Sequence, residues 1–148
     1  MKTLEIAKDI AFLCRENDYP FENAKIQKLL YLFVGFCLIN NISEIYDIDE
    51  KPKLWPFGPV FPRVYKKYKE IKEYKQDAIK SLENEEIIKI LEQTVKKWGK
   101  IPGGKLSIWS HLPNSPWDIL VKKGAKWNTE MPLEDIKTYF QNNVDNVI

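Results

Sequence analysis

The chain has 148 residues, 44% of them hydrophobic, and its 23 basic and 21 acidic residues give a formal net charge of +2 at pH 7. A chain of this length buries roughly 68–70% of its unfolded surface, so we expect one domain, residues 1–148, without structural disulfides or metals. The charge is balanced and Arg15 and Arg63 are the only arginines, so the composition does not favour a nucleic acid partner.

The cysteine positions and the hydropathy pattern indicate where the chain works. Cys14 and Cys37 lie on apolar helical stripes and form no Cys-x-x-Cys pair, which is typical of buried thiols in a reducing compartment. No signal peptide pattern is evident, and the apolar run from Leu29 to Ile39 is shorter than the ~20 residues that span a membrane. We expect a cytoplasmic protein with no membrane partner.

Two helices are predicted at the start of the chain. Apolar residues at helical spacing over Leu4–Cys14 predict the first, which ends in the polar segment Glu16–Asp18 before Pro20. Asn23 is the predicted cap of the second helix, which closes at Asn40–Asn41. A wide apolar face predicts that the second helix forms the core, and it comprises Ile26, Leu29, Leu30, Phe33, Phe36 and Cys37.

A proline- and glycine-rich turn follows an irregular or short-strand connection over residues 42–62. Its prolines lack a backbone donor and Gly58 permits positive φ, so the turn is neither a central strand nor a helix interior. Exposing large aromatic side chains is costly, and we therefore expect the turn to be anchored on the helical body. The expected anchors are Trp55, Phe57, Val60 and Tyr65, packed against the face of the second helix that carries Leu29, Leu30 and Phe33.

Helical signals continue through the rest of the chain. Val64, Tyr65, Tyr68, Ile71 and Tyr74 form the predicted inner stripe of a third helix, with lysines facing water between them. The fourth helix has a cap, an acidic first turn, a basic last turn and a glycine stop, and these are Asn84, Glu85–Glu86, Lys96–Lys97 and Gly99.

The last third of the chain predicts three more short helical segments. Gly103–Gly104 allows a reversal into residues 106–112, and Ser115 caps a helix that begins at Pro116 and stops at Lys123–Gly124. A final helix opens at Pro132, with Ile136, Tyr139 and Phe140 on its inner side. The predicted fold is mainly α: a compact single-domain bundle of about six or seven helices with a Pro/Gly-rich turn and at most a small β element.

Residues suited to catalysis are few. His111 is the only histidine, and Ser107 lies four residues before it, the spacing at which a nucleophile and its base could touch on a helix. No oxyanion-hole motif accompanies the pair, and a structural role is the better interpretation, with His111 partly buried and hydrogen-bonded near the Pro116 helix. The sequence has no metal-ligand spacing either, so we predict no enzyme activity, no metal and no cofactor.

Four segments of the chain match motifs of a known family, beginning with Lys25-Ile26-Gln27-Lys28-Leu29-Leu30-Tyr31. This segment is similar to the signature Lys-Leu-Gln-Lys-Leu-Leu-Tyr of the Panacea domain of the SocA-like antitoxins, a family found in bacteria, phages and prophages. The other similar segments are Trp55-Pro56-Phe57-Gly58-Pro59-Val60 with Pro62 and Val64-Tyr65, then Leu106-Ser107 with His111 and Pro116-Trp117, and finally Ile136-x-x-Tyr139-Phe140. Ile26 replaces the usual leucine, and Lys53-Leu54 replace an acidic and a small residue.

The resemblance implies an antitoxin that neutralises a toxin encoded by a neighbouring gene, by direct protein–protein contact. The alternatives are an adaptor that delivers the toxin to a protease, a phage-encoded regulatory or DNA-binding protein that reads DNA with Gln27, and, less favoured, a Ser/His hydrolase. The predicted toxin-binding residues flank the core stripe of the second helix and are Lys25, Gln27, Lys28 and Tyr31. The motif residues predicted to be structural are Trp55, Gly58, Pro59, Val60, Tyr65, Leu106, Ser107, His111, Pro116 and Trp117.

Overall fold

A central helix organises the fold. The structure, a computed structural model, describes residues 1–143, and α2 (Asn23–Ile39) is buried along almost its whole length. Around α2 pack α1 (Thr3–Glu16), α5 (Glu85–Trp98), α6 (Gly103–Ser110) and α8 (Leu133–Asn143). A helix that is apolar on all sides is stable only when other elements cover it, which explains this arrangement. Within residues 1–143 no helix has both the length and the apolarity needed to cross a membrane.

The remaining elements are short and lie at the periphery of this bundle. They are a 3-10 helix (Ser43–Asp47), β1 (Lys53–Trp55), β2 (Gly58–Val60), α3 (Pro62–Lys66), α4 (Tyr68–Glu73) and α7 (Pro116–Lys122). The strands form one antiparallel hairpin in which Lys53 pairs with Val60 and Trp55 with Gly58. The predicted fold class, mainly α with at most a small β element, is therefore confirmed.

Local capping chemistry places several helix ends where the sequence predicts them. The Asn84 side chain accepts hydrogen bonds from the backbone N–H groups of Glu86 and Ile87, which fixes the start of α5. Ser115 Oγ accepts from the N–H of Asp118 at 3.1 Å and so caps α7. The Asp118 carboxylate in turn accepts from the N–H of Asn114, the residue before the cap, at 2.8 Å.

Two expectations about helix starts are wrong. Glu22, not Asn23, caps α2, because its carboxylate accepts from the N–H of Lys25 at 3.1 Å. The Gly103–Gly104 pair makes no reversal, since α6 begins at Gly103 and neither glycine has positive φ.

The third predicted helix is divided at Lys67 into α3 and α4. Tyr65 and Tyr74 are exposed, whereas Val64 and Ile71 are fully buried. Each of the two short helices thus buries one aliphatic side chain in the core, whereas the sequence predicts one continuous apolar stripe. The chain therefore has eight α-helices within residues 1–143, against the predicted six or seven.

Candidate functional site

The hairpin formed by β1 and β2 places a large aromatic side chain in solvent. Phe57 lies in its turn and is 79% exposed, and Tyr65 on α3 is 50% exposed. The Trp55 ring lies 5.0 Å from that of Tyr65 in an edge-to-face arrangement. With Val60 these aromatics line a recess of about 190 Å³. We call Trp55, Phe57, Val60 and Tyr65 the hairpin surface.

This placement corrects the expectation that all four residues anchor the turn on α2. Val60 is buried and β2 packs against α2, as predicted. Phe57 and Tyr65 instead face solvent. The buried part of the hairpin is β2, whose three residues Gly58–Val60 are all buried.

Side chains from three helices hold the backbone of the hairpin. They donate hydrogen bonds to its carbonyl oxygens, and the bonds run from Lys28 Nζ to Pro59 O (2.8 Å), from Ser107 Oγ to Phe57 O (3.1 Å) and from Trp117 Nε1 to Trp55 O (2.7 Å). Because carbonyls on both sides of the turn are bonded, the direction in which Phe57 projects is fixed by α2, α6 and α7.

Gln27 fixes the chain just beyond the hairpin. Its side-chain oxygen accepts from the N–H of Phe61 at 2.7 Å, and its Nε2 donates to the carbonyl oxygen of the same residue at 3.2 Å. An amide side chain can satisfy a backbone N–H and C=O together in this way, as a neighbouring strand would. Gln27 thus replaces a missing strand partner at the end of β2.

Gly58 is required by both its conformation and its surroundings. Its φ is +116°, which confirms the predicted positive φ. A Cβ atom at this position would lie 2.6 Å from Ser110 Oγ and 3.2 Å from Lys28 Nζ. The polar side chains that support the hairpin therefore reach it only because residue 58 has no side chain.

His111 packs beside Trp117, and the Ser107 hydroxyl is bonded to the hairpin rather than to the His111 ring. His111 is partly buried, as predicted, and its ring lies 5.3 Å from that of Trp117. Its Nδ1 is buried without a hydrogen-bond partner, so the expected side-chain bond is wrong at that atom. The Ser107 hydroxyl donates to Phe57 O, so its proton points to the hairpin and not to the imidazole.

The other motif residues from the C-terminal half also lie inside the fold. Leu106 is fully buried in the core, and Pro116 is buried at the start of α7. Among residues 1–143, no group of His, Cys, Asp or Glu side chains is arranged to hold a metal ion.

The four predicted toxin-binding residues are not at the surface. Lys25, Gln27, Lys28 and Tyr31 are each at most 3% exposed, so their expected exposure is wrong. Lys25 Nζ donates to Gly99 O at 2.6 Å, and Tyr31 packs between the rings of Trp109 and Phe140. Their contact with a toxin stays a prediction, but it has lost its geometric basis.

The same burial removes the basis of the DNA-binding alternative, since Gln27 lies inside the fold and cannot enter a groove from its position on α2. A signal in the sequence pointed to this burial. Leu32, Val34 and Leu38 lie outside the recognised apolar stripe and are also fully buried, which marks α2 as covered on all sides.

Burial of Lys28 predicts a pH-dependent contribution to stability. Desolvation lowers the pKa of its ammonium group from 10.5 to about 8. Between these values the unfolded chain binds more protons than the folded one, so the contribution of Lys28 to the free energy of unfolding increases as pH rises. Between about pH 7 and about pH 9, the free energy of unfolding of the wild type should rise by about 1 kcal/mol relative to that of Lys28→Met.

Urea unfolding of both proteins at the two pH values measures this difference. The comparison cancels other groups that titrate in the same range, among them the buried thiols of Cys14 and Cys37, whose pKa values burial raises. Identical pH dependence in the two proteins would show that Lys28 keeps its ordinary pKa in the fold.

The residues that hold the hairpin lie in a region of the chain that matches a known protein family. The family described as "Antitoxin SocA-like, Panacea domain" matches residues 26–118, a region that runs from α2 to α7 and includes the whole hairpin. Lys25 and the segment around Tyr139 lie outside the matched region. No curated protein and no solved structure gives a significant match. Because the matched region covers more than half of the chain, the protein belongs to the SocA-like antitoxin family and contains its Panacea domain.

Proposed function

We propose that this protein is an antitoxin that binds directly to a toxin encoded by a neighbouring gene and contacts it through the hairpin surface. Membership of the antitoxin family supports an antitoxin-like role. The observation that carries the finer proposal is the exposure of Phe57 on a backbone fixed by hydrogen bonds from three helices. An exposed aromatic side chain on a rigid support is a typical anchor of a protein interface.

The energetics of such an anchor favour tight binding. Burying a phenylalanine side chain that was exposed contributes about 1.5–3 kcal/mol. Because the hairpin backbone is already held in place, little conformational entropy is lost when a partner covers it. The recess beside Phe57, which Trp55 and Tyr65 also line, offers a place for an apolar side chain of the toxin.

Replacement of Phe57 by alanine tests this proposal. We expect the dissociation constant for the toxin to rise by about 30-fold, which corresponds to about 2 kcal/mol, because an interface anchor is removed. Thermal stability should be unchanged, since the ring is exposed in the free protein. Isothermal titration with the product of the neighbouring gene measures the affinity, and rescue of growth on co-expression measures neutralisation.

Ile119→Ala is the matched control, because Ile119 is a 42% exposed apolar residue on α7 outside the hairpin surface. Its affinity for the toxin should equal that of the wild type. If Phe57→Ala binds the toxin as tightly as the wild type, the hairpin surface is not the interface. If the toxin is neutralised in cells without any complex being formed, direct binding is wrong and delivery to a protease becomes the better mechanism.

A further inference from the structure

A second recess also has Trp55 in its lining. It has a volume of about 660 Å³, and its lining includes Lys53, Trp55, Lys66 and Trp127. We call these four residues the cationic recess. Trp55 belongs to both recesses, so a partner that covers the hairpin surface also reaches the edge of the cationic recess.

Two lysines give the cationic recess its charge. Arg63 also lines it, but its guanidinium pairs with Asp49 at 2.6 Å and is already neutralised. Among the ion pairs within residues 1–143, neither Lys53 nor Lys66 has a carboxylate partner within 4.0 Å. Both ammonium groups are therefore available to an anionic group from outside.

The aromatic walls of the recess are held in defined orientations. Trp127 is 54% exposed, and one face of its ring stacks against Trp117 at a centroid distance of 6.3 Å. Trp55 Nε1 donates to Asn128 Oδ1 at 3.1 Å, which ties β1 to the segment that carries Trp127. Because about half of Trp127 is exposed, an apolar group from outside can pack against it.

We propose that the cationic recess binds an acidic segment of the toxin, with a carboxylate beside Lys53 and Lys66 and a neighbouring apolar side chain against Trp127. This inference rests on the proposed function. It specifies the chemistry of the partner: a segment that presents an Asp or Glu next to an apolar residue, close to the group that covers Phe57.

The local charges favour a carboxylate over a nucleic acid strand. Glu50 lies in the lining of the same recess, and Asp49 lies beside it on Arg63. A strand of phosphates carries several negative charges and would meet more repulsion from these carboxylates than a single carboxylate does. The nearby arginine, the side chain best suited to phosphate, is occupied.

The test compares two double variants. Lys53→Gln/Lys66→Gln removes the charges of the recess, and Lys89→Gln/Lys100→Gln removes two charges at exposed positions remote from it. Affinity for the product of the neighbouring gene is measured at about 50 mM and about 300 mM salt. We expect the recess variant to bind about tenfold more weakly at low salt and to lose most of the salt dependence that the wild type shows. The control variant should behave as the wild type does.

Each other outcome is decisive. If the recess variant keeps both the affinity and the salt dependence of the wild type, this inference is wrong while the proposed function stands. A wild-type protein that binds no toxin overturns both. Should the wild type bind a single-stranded oligonucleotide and the recess variant not, the recess is a nucleic acid site instead. If Lys53→Gln disturbs the hairpin, the single variant Lys66→Gln repeats the test, because Lys66 is exposed. We expect it to lower the affinity for the toxin about threefold.

Discussion

Substitution of Gly58 by valine should lower the free energy of unfolding by about 3 kcal/mol or more. A residue with a side chain at φ +116° is strained by about 1–3 kcal/mol. The new Cβ would also lie 2.6 Å from Ser110 Oγ, and overpacking of a filled site lowers stability by about 1–3 kcal/mol more. Urea denaturation followed by circular dichroism measures the loss.

A matched pair of alanine variants separates this effect from a general cost of replacing glycine. A Cβ at Gly104 would have no atom within 4 Å, and φ there is not positive, so Gly104→Ala should be neutral or slightly stabilising. Gly58→Ala should still be clearly destabilising. If Gly58→Val unfolds at the same urea concentration as the wild type, the hairpin tolerates a side chain and the close approach of Ser110 has been overestimated.

Gly58→Val should also weaken toxin binding. Gly58 directly follows Phe57, and the carbonyl of Pro59 accepts the hydrogen bond from Lys28. A shift of the backbone at Gly58 therefore changes the direction of the Phe57 ring. Under the proposed function, we expect the fraction of Gly58→Val that still folds to bind the toxin more weakly than the wild type does.

Features fixed by local chemistry could be predicted from the sequence. The ends of α5 and α7 depend on Asn84, Ser115 and Gly124, and each acts through backbone groups within a few residues of itself. The positive φ of Gly58 is likewise a property of one turn. The antitoxin family could also be predicted from the sequence, because its motifs occur in a fixed order along the chain.

Features fixed by long-range packing could not be predicted in this way. The exposure of Phe57 depends on how β2 meets α2, and the burial of Lys28 depends on a carbonyl 31 positions away. A lysine next to an apolar stripe normally extends to water, so its sequence position favours the surface. Here the lysine points inward because a backbone acceptor inside the fold replaces the water that it loses.

Gln27→Leu should destabilise the isolated protein by about 2 kcal/mol. The leucine is similar in size but takes away the partner of the Phe61 N–H, in a place where Gln27 is 2% exposed. The Phe61 carbonyl also loses the bond from Gln27 but still accepts from the N–H of Tyr65 at 3.0 Å, so one backbone group is left unsatisfied, at a cost of about 1–3 kcal/mol. The midpoint of urea denaturation, measured without any partner present, should fall accordingly.

The exposed Gln93 on α5 provides the control, since Gln93→Leu should change stability by no more than about 0.5 kcal/mol. This comparison separates two roles for Gln27. A residue that supports the hairpin lowers the stability of the free protein when it is replaced, whereas a residue that only touches the toxin leaves stability unchanged and lowers affinity alone. If Gln27→Leu unfolds at the same urea concentration as the wild type but binds the toxin more weakly, Gln27 contacts the toxin and does not support the hairpin.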